Sequence, residues 1–301
     1  MSLTPLAVAG GIAAAGVTWG LVEARAYTVR RVDVPVLAPG SSPVRVLHIS
    51  DLHVTPRQRA KLAWVRSLAD ESPDLVVNTG DNLAHMGAVP SVLEALAPLL
   101  RLPGVFVHGS NDYFEPRPTN PFAYFGGPSR VKHDPRRLPT DALTGGFERH
   151  GWLNLNNSRG VLDVAGQSIS FVGMDDPHLG RDSVLAQSGA HGDLHVGVVH
   201  APYRRALEAL QADGANLTLA GHTHGGQVCL PGYGALVTNC DLDTRRAKGL
   251  HGWPGVRPDS TEGQESMWLH VSAGVGTSPY VRLRFACRPE ATLLTLVERS
   301  L

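Results

Sequence analysis

The chain has 301 residues, 43% hydrophobic and 18% charged, enough to bury a substantial core in one large domain or two small ones. Lysine plus arginine and aspartate plus glutamate each number 27, so the formal net charge is zero, which argues against a nucleic-acid binder working through bulk charge. Three cysteines, Cys229, Cys240 and Cys287, have no CxxC spacing, which excludes a disulfide framework and a zinc–thiolate site.

The first thirty residues stand apart from the rest. From Leu3 to Val22 the chain carries no charge and has the length of a membrane-crossing helix, although it is rich in Ala and Gly. A cleaved leader wants a basic stretch before its apolar run, and none is present; Ala24-Arg25-Ala26 is also a poor cleavage site. The arginines come afterwards, at Arg25, Arg30 and Arg31, which by the positive-inside tendency leaves the remainder in the cytoplasm. The expectation over residues 1–30 is therefore a single-pass membrane anchor and its flank. A buried helix and a cleaved leader are the competing readings. Gly16 and Gly20 form a GxxxG spacing suited to helix packing.

From Val44 onward, apolar runs of strand length recur at 44–50, 74–80, 104–110, 168–174, 194–200, 217–222, 266–272 and 292–298. Near-continuous Val, Leu and Ile suit strands covered on both faces. Helical spacing of apolar residues appears at 57–70, 91–100 and 203–213. Alternating strands and helices predict an α/β layered domain over 44–301. Phe114 to Gly146, rich in Pro, Gly and Arg without periodicity, predicts a long functional loop or a disordered excursion.

The residues that close these runs carry the chemistry. They are Asp51 and His53, then Asp81, then Asn111 and Asp112, then His200, and finally His222 and His224. Ligands of open α/β sheets bind beyond the carboxyl ends of strands, so five strands deliver Asp, Asn or His to one edge. Alone, "LAGHTHGGQV" (219–228) is equally a glycine-rich turn with two surface histidines; the other four strand ends decide against that. Aspartate and histidine without cysteine suit manganese, iron or zinc. Six or seven donors exceed one tetrahedral zinc and fit two divalent metal ions about 3.5–4 Å apart. Asp175, Asp176 and His178 line the same cleft or form an ordinary strand-end turn. His108 and His195, inside strand runs, read as structural, while Tyr113, Tyr203, Arg204 and Arg205 are candidates for substrate contact.

In this order the blocks Asp51-Leu52-His53, Gly80-Asp81, Gly109 to Asp112, His200 and Gly221-His222-Thr223-His224 resemble those of the calcineurin-like metallophosphoesterase superfamily, across about 44–301. "GHTHGGQVCLPG" and "VSAGVGTSPYVRLRFACRPEATLLTL" resemble its small bacterial, often membrane-associated branch. The resemblance implies a four-layer α-β-β-α sandwich: two facing mixed sheets flanked by helices. It implies hydrolysis of phosphoesters or pyrophosphates by a metal-bridging hydroxide attacking phosphorus in line. It also implies Asp51, His53, Asp81 and His224 around one metal, and Asp81, His200, His222 and an asparagine around the other, with Asp81 shared.

The third block departs from the family pattern, which is Gly-Asn-His-Asp/Glu. Here it is Gly109-Ser110-Asn111-Asp112. Without a gap, Ser110 takes the ligand position and Asn111 that of the histidine that helps the leaving group; a one-residue shift keeps Asn111 as ligand. Either way the histidine is missing. Asp81, Asn111 and Asp112 are the expected catalytic residues. The expected substrate is a phosphorylated small molecule or a lipid-linked phosphate, with nucleic acid disfavoured. The competing function is a binding scaffold on the same fold, catalytically silenced by the altered block.

Overall fold

The computed structural model describes residues 4–118, 135–183, 192–277 and 280–299. The apolar runs become strands of two mixed sheets. In the first, β2 (Val44–Ile49), β3 (Leu75–Asn78), β4 (Gly104–Phe106) and the short β5 (Leu153–Asn154) run parallel. β14 (Glu290–Glu298) joins β2 antiparallel, and β1 (Thr28–Leu37) lies parallel to β14 at the edge, giving the order β1-β14-β2-β3-β4-β5. In the second, β7 (Gln167–Met174), β8 (Leu194–Val199), β9 (Leu217–Ala220) and β13 (Met267–Val271) are parallel. Antiparallel β6 (Ser158–Val164) and β12 (Gly249–Trp253) close its edges, in the order β12-β13-β9-β8-β7-β6.

The sheets pack face to face. Val46, Val77 and Leu294 of the first share a core with Phe171, Val198, Leu219 and Trp268 of the second. This double coverage is why the central strands read as unbroken apolar runs. On the outer face of the first sheet, α2 (Arg59–Ser67), α3 (Val89–Leu96) and α5 (Thr140–Glu148) bury Val65, Val92, Leu143 and Phe147 against Leu47, Val76 and Phe106. The second sheet is covered by α6 (Arg204–Ala212), whose Ala206, Leu207 and Leu210 meet Val172, Val199 and Leu269. Truncating a ring such as Phe147 to alanine costs about 3–5 kcal/mol in a core of this kind.

Three features differ from the sequence-based expectations. The first sheet begins at Thr28, upstream of residue 44 and inside the segment assigned to anchor and flank. β1 escapes an apolar-run search because it is an edge strand: Arg30, Arg31 and Asp33 face solvent, and an edge tolerates Pro35. Arg30 pairs with Glu290 at 2.8 Å and Arg31 with Glu71 at 2.6 Å.

The stretch Phe114–Gly146 does not stay irregular: its last seven residues open α5. The pair Gly145-Gly146 masks the helical pattern, yet a Cβ on Gly146 would lie 2.7 Å from Leu93, so glycine lets α5 approach α3. Residues 119–134, the centre of the expected loop, lie outside the described residues.

The N-terminal segment is a helix, α1 (Thr4–Glu23), but no helix among the described residues is long and apolar enough to cross a membrane. This corrects the spanning-anchor expectation. The physical reason is composition: nine of the twenty residues of α1 are Ala or Gly, whose burial in lipid gains little. Gly20, half of the GxxxG, is already used within the chain. A Cβ there would lie 3.3 Å from the Arg284 carbonyl and from Leu283.

Candidate metal centre

The ends of β2, β3, β8 and β9, with the short helix α4 (Ser110–Tyr113) after β4, converge on one edge. The chain turns sharply there. Asp51, His53, Asp81, His222 and His224 all have φ between 42° and 69°, five of the eleven described non-glycine residues in the left-handed region. That conformation costs side-chain-bearing residues energy, of order 1 kcal/mol or more each, and clusters where geometry serves function. Glycine makes room beside it. A Cβ on Gly109 would collide with the Asp81 carboxylate and approach His200 Nε2 to 2.6 Å, and one on Gly221 would strike Ser50 and Asp51.

Asp81 sits at the centre. Its Oδ2 lies 3.6 Å from His53 Nε2 and 3.5 Å from His200 Nε2. Asp51 Oδ1 lies 3.9 Å from His53 Nε2 and 3.5 Å from His224 Nε2, and the two Nε2 atoms of His53 and His224 are 3.1 Å apart. These side chains form two overlapping clusters, Asp51–His53–His224 and Asp51–Asp81–His200. His222 is turned so that Nε2 meets the Asn239 carbonyl at 3.2 Å, which leaves Nδ1 as the nitrogen free to ligate. Its ring lies 5.3 Å from that of His200.

The pattern of unmade bonds tests whether cations fit. His200 Nδ1 is held by the Thr79 carbonyl at 2.6 Å, so Nε2 is the nitrogen turned toward Asp81, and it makes no hydrogen bond of good geometry. Asp51 Oδ2 accepts from Ser50 Oγ at 2.6 Å and from the His222 amide at 3.1 Å, while its Oδ1 is left without a partner. Buried acceptors without donors are costly. Acceptors aimed at one another call for a positive charge between them, and divalent cations fit.

Electrostatics agree with that reading. Burial alone would raise Asp81, but His200, His53 and the Asn111 amide outweigh it and hold the carboxyl well below its usual range. Burial would lower His200, and Asp81, Asp51 and Asp176 reverse this, raising it well above the usual imidazole range; the buried carboxylates draw positive charge, here a proton, to the place a cation would take. Burial and neighbouring imidazoles keep His222 and His224 well below it, neutral and able to donate lone pairs.

The third block lies against Asp81. Asn111, rather than Ser110, faces Asp81: its backbone amide donates to Oδ1 at 2.7 Å and its side-chain amide to Oδ2 at 2.8 Å. Asp112 points elsewhere. Its carboxylate accepts from the amides of Asp81 (2.8 Å), Asn82 (2.8 Å) and Gly109 (3.1 Å), tying the second and third ligand loops together and leaving the cleft to other groups.

Of the secondary candidates, His178 lines the cleft, its ring 5.0 Å from that of His222 and its Nδ1 3.0 Å from the Tyr203 hydroxyl. Asp176 is buried beside it, pushed up to about 7 by burial and by Asp81 and Asp175. Tyr113 donates to Asp175 at 2.8 Å. Arg205 is engaged by Asp182 at 2.7 Å. His108 is structural, 2.7 Å from Thr144.

Two buried cations behind the ligands have no clear signal in sequence. Lys61 Nζ donates to the Leu52 and His53 carbonyls, holding the first loop from behind. Arg284, fully buried, donates to the carbonyls of Ala273 and Gly276 at 2.7 Å each and reaches His224 Nδ1 at 3.3 Å. The sulfur of Cys287 donates to the His224 carbonyl at 3.3 Å. Arg284 is one of two arginines in "VRLRFAC", and nothing in that segment marks it as the buried one.

Comparison with known proteins accords with this geometry. The model of the calcineurin-like phosphoesterase family matches residues 44–226. The chain belongs to that family.

It is a metal-dependent phosphoesterase. Relatives include the uncharacterized metallophosphoesterase YkuE of Bacillus subtilis, 26% identical over 96% of this chain and 93% of that one. The phosphodiesterase YaeI of Escherichia coli is 27% identical over 85% and 83%. A bovine (Bos taurus) transmembrane protein with a metallophosphoesterase domain is 30% identical over 69% of this chain and 47% of its own length.

Proposed function

We propose that this metallophosphoesterase uses two divalent ions, manganese, iron or zinc, to hydrolyse phosphoesters or phosphoanhydrides. Asp51, His53 and His224 would hold one, His200, His222 and Asn111 the other, with Asp81 shared. The observation that carries this is the place of Asp81 Oδ2, within 3.6 Å of both His53 and His200. Held there, such ions would lower the pKa of a bound water and neutralise charge on phosphoryl oxygens.

The chain's own residues do the rest. Asp112 fixes the spacing of the loops that present Asp81 and Asn111. The Asn239 and Thr79 carbonyls set which nitrogen His222 and His200 offer. Asn111 cannot donate a proton to a departing alkoxide at neutral pH, so the site favours leaving groups stable as anions, such as a phosphate or a phenolate. His178, beside His222 and bonded to the Tyr203 hydroxyl, is the side chain we assign to orienting the leaving oxygen. The retained ligand set disfavours the silenced-scaffold alternative, which has no use for orphaned acceptors at one edge.

The side chains of α1 extend the reading to a membrane surface. Val8, Ile12 and Trp19 lie along one side and Val17 and Leu21 on the opposite one, all exposed, with no charge before Glu23. Such a helix is suited to lying against lipid, which supports including a lipid-linked phosphate among the substrates to be tried.

The test is a panel of phosphomonoesters, phosphodiesters and pyrophosphates with graded leaving groups, run on the native chain and on Asn111→His. The native enzyme should fall in rate steeply as leaving-group pKa rises. Asn111→His, which replaces a proposed ligand, should lose metal and turnover across the panel; retained metal with recovery on alkyl esters, up to about 10²-fold, would instead put position 111 at the general-acid place and remove it from the ligands. A native rate indifferent to leaving-group pKa would show that another group already protonates it; no turnover anywhere in the panel would favour the scaffold.

A further inference from the structure

A second cavity lies where α1 meets the catalytic domain. It has a volume of about 900 Å3 and is lined by the last turn of α1, the segment Thr55–Trp64 and the loop Val275–Thr277. That is within the range of small-molecule sites. No metal ligand lines it, although it backs on to the loop that carries Asp51 and His53, the Gly276 amide donating to the Asp51 carbonyl at 2.6 Å.

Its charge is one-sided. Arg25, Arg57, Arg59, Lys61 and Arg282 line it, and no carboxylate does. In a chain of zero net charge, a lining with Arg25, Arg57 and Arg59 and no carboxylate makes a local excess. Several arginines elsewhere are ion-paired, such as Arg159 with Asp213 at 2.5 Å, Arg181 with Asp175 at 2.8 Å and Arg246 with Asp243 at 2.6 Å. Arg25, Arg57 and Arg59 make no ion pair among the described residues. The first turn of α2 also lines the cavity, with neither an acidic residue nor a side-chain cap at its positive end.

One wall is aromatic. Tyr27 and Trp64 stack with ring centroids 5.2 Å apart and planes at 24°. They offer a flat apolar surface beside the cations, suited to the glycerol or ring portion of a phosphorylated molecule. The cavity is also fixed relative to α1. Arg284 donates its backbone amide to the Gly20 carbonyl at 3.1 Å, and Glu23 accepts from the Cys287 amide at 2.6 Å, clamping the last turn. The exposed apolar length of α1 therefore ends at the cavity rim.

We propose that this cavity binds the phosphate of an anionic headgroup, so that the end of α1 and the Thr55–Trp64 segment together read the membrane surface. The same chemistry would accept a free phosphorylated molecule. The proposal rests on the membrane reading of α1 for its source of phosphate, and not on the metal centre.

The experiment uses the full chain with vesicles of neutral phosphatidylcholine, with and without phosphatidic acid, and compares the native chain with Arg57→Glu/Arg59→Glu. Native protein should float with the anionic vesicles on the order of tenfold more tightly, each basic side chain near a lipid surface contributing severalfold. The double variant should keep its affinity for neutral vesicles and lose the preference. A second arm titrates glycerol 3-phosphate while following tryptophan fluorescence, in an Asp81→Asn background that weakens phosphate binding at the metal centre. A saturable change that the double variant loses supports the cavity as a phosphate site. If that change appears while no vesicle is bound, the occupant is a free phosphorylated molecule and the membrane reading of α1 fails by itself. Equal preference for anionic lipid in native and variant chains, or no saturable change in the second arm, overturns the proposal.

Discussion

Strand β8 carries a histidine at each end, and the two have opposite surroundings. His195, near its start, has both ring nitrogens satisfied, by Ser170 at 2.8 Å and Asp213 at 2.9 Å. Asp213 is in turn held by Arg159 at 2.5 Å and 2.7 Å, so charge and hydrogen bonds close within the protein. His200, just beyond the other end and about 16 Å away by strand rise, has one nitrogen satisfied and the other facing a carboxylate that has no proton to give. Serine, histidine and aspartate in line at His195 look like catalytic machinery but are a finished structural network. The other end is unfinished, and that incompleteness marks it as the place where something binds.

The largest expected contrast is in turnover. Asp81→Asn should lower activity on the order of 10³-fold or more, because it removes charge from the shared position where developing charge is stabilised. His195→Gln, which keeps polar contacts at the closed end, should stay within about tenfold of native. Steady-state rates on an aryl phosphate would check both, and comparable losses would erase the distinction between the two ends.

A smaller effect should appear in stability. Chelation should lower the Tm of the native chain by about 5–10 °C, since saturating ligand adds about 2.7 kcal/mol at a hundredfold excess over Kd. His195→Gln should show the same drop, whereas Asp81→Asn should show little. Calorimetry with and without chelator distinguishes these, and a chelator-insensitive native chain would contradict the account.

The smallest effect belongs to the closed end alone. Burial would raise Asp213, but its bonds to Arg159 and His195 outweigh this and hold its carboxyl below the usual range. A depressed folded value means that the stabilisation is complete above the unfolded pKa of about 3.9 and is lost as pH falls through the folded one. Asp213→Asn should therefore be less stable at neutral pH, by about 1–3 kcal/mol, and should lose part of the native chain's acid sensitivity. Tm against pH for the two chains checks this; parallel curves would mean that Asp213 is not held as described.

The contrast also shows what a sequence can reveal. The residues proposed as ligands were legible because each follows an apolar run, and a strand buried on both faces shows where it ends. Asp51, Asp81, His200 and His222 follow directly from that rule. Their left-handed backbone angles were not legible, nor was the role of Asp112, whose carboxylate serves three amides. Direction of a side chain within a turn depends on partners distant in sequence, such as Asn82 for Asp112 or Asn239 for His222. The strand β1 and helix α5 were hidden for a different reason. Exposed arginines broke one pattern and a close-packed glycine pair broke the other. Lys61 and Arg284 were invisible because nothing local distinguishes a buried cation capped by carbonyls from a surface one.

The central claim is that the unfinished end of β8 is completed by two metal ions. Elemental analysis of the purified full chain, alongside Asp81→Asn and His195→Gln, tests it most directly. The account predicts about two equivalents of divalent transition metal in the native chain and in His195→Gln, and a marked loss in Asp81→Asn. A single equivalent in the native chain, or undiminished metal in Asp81→Asn, would contradict it.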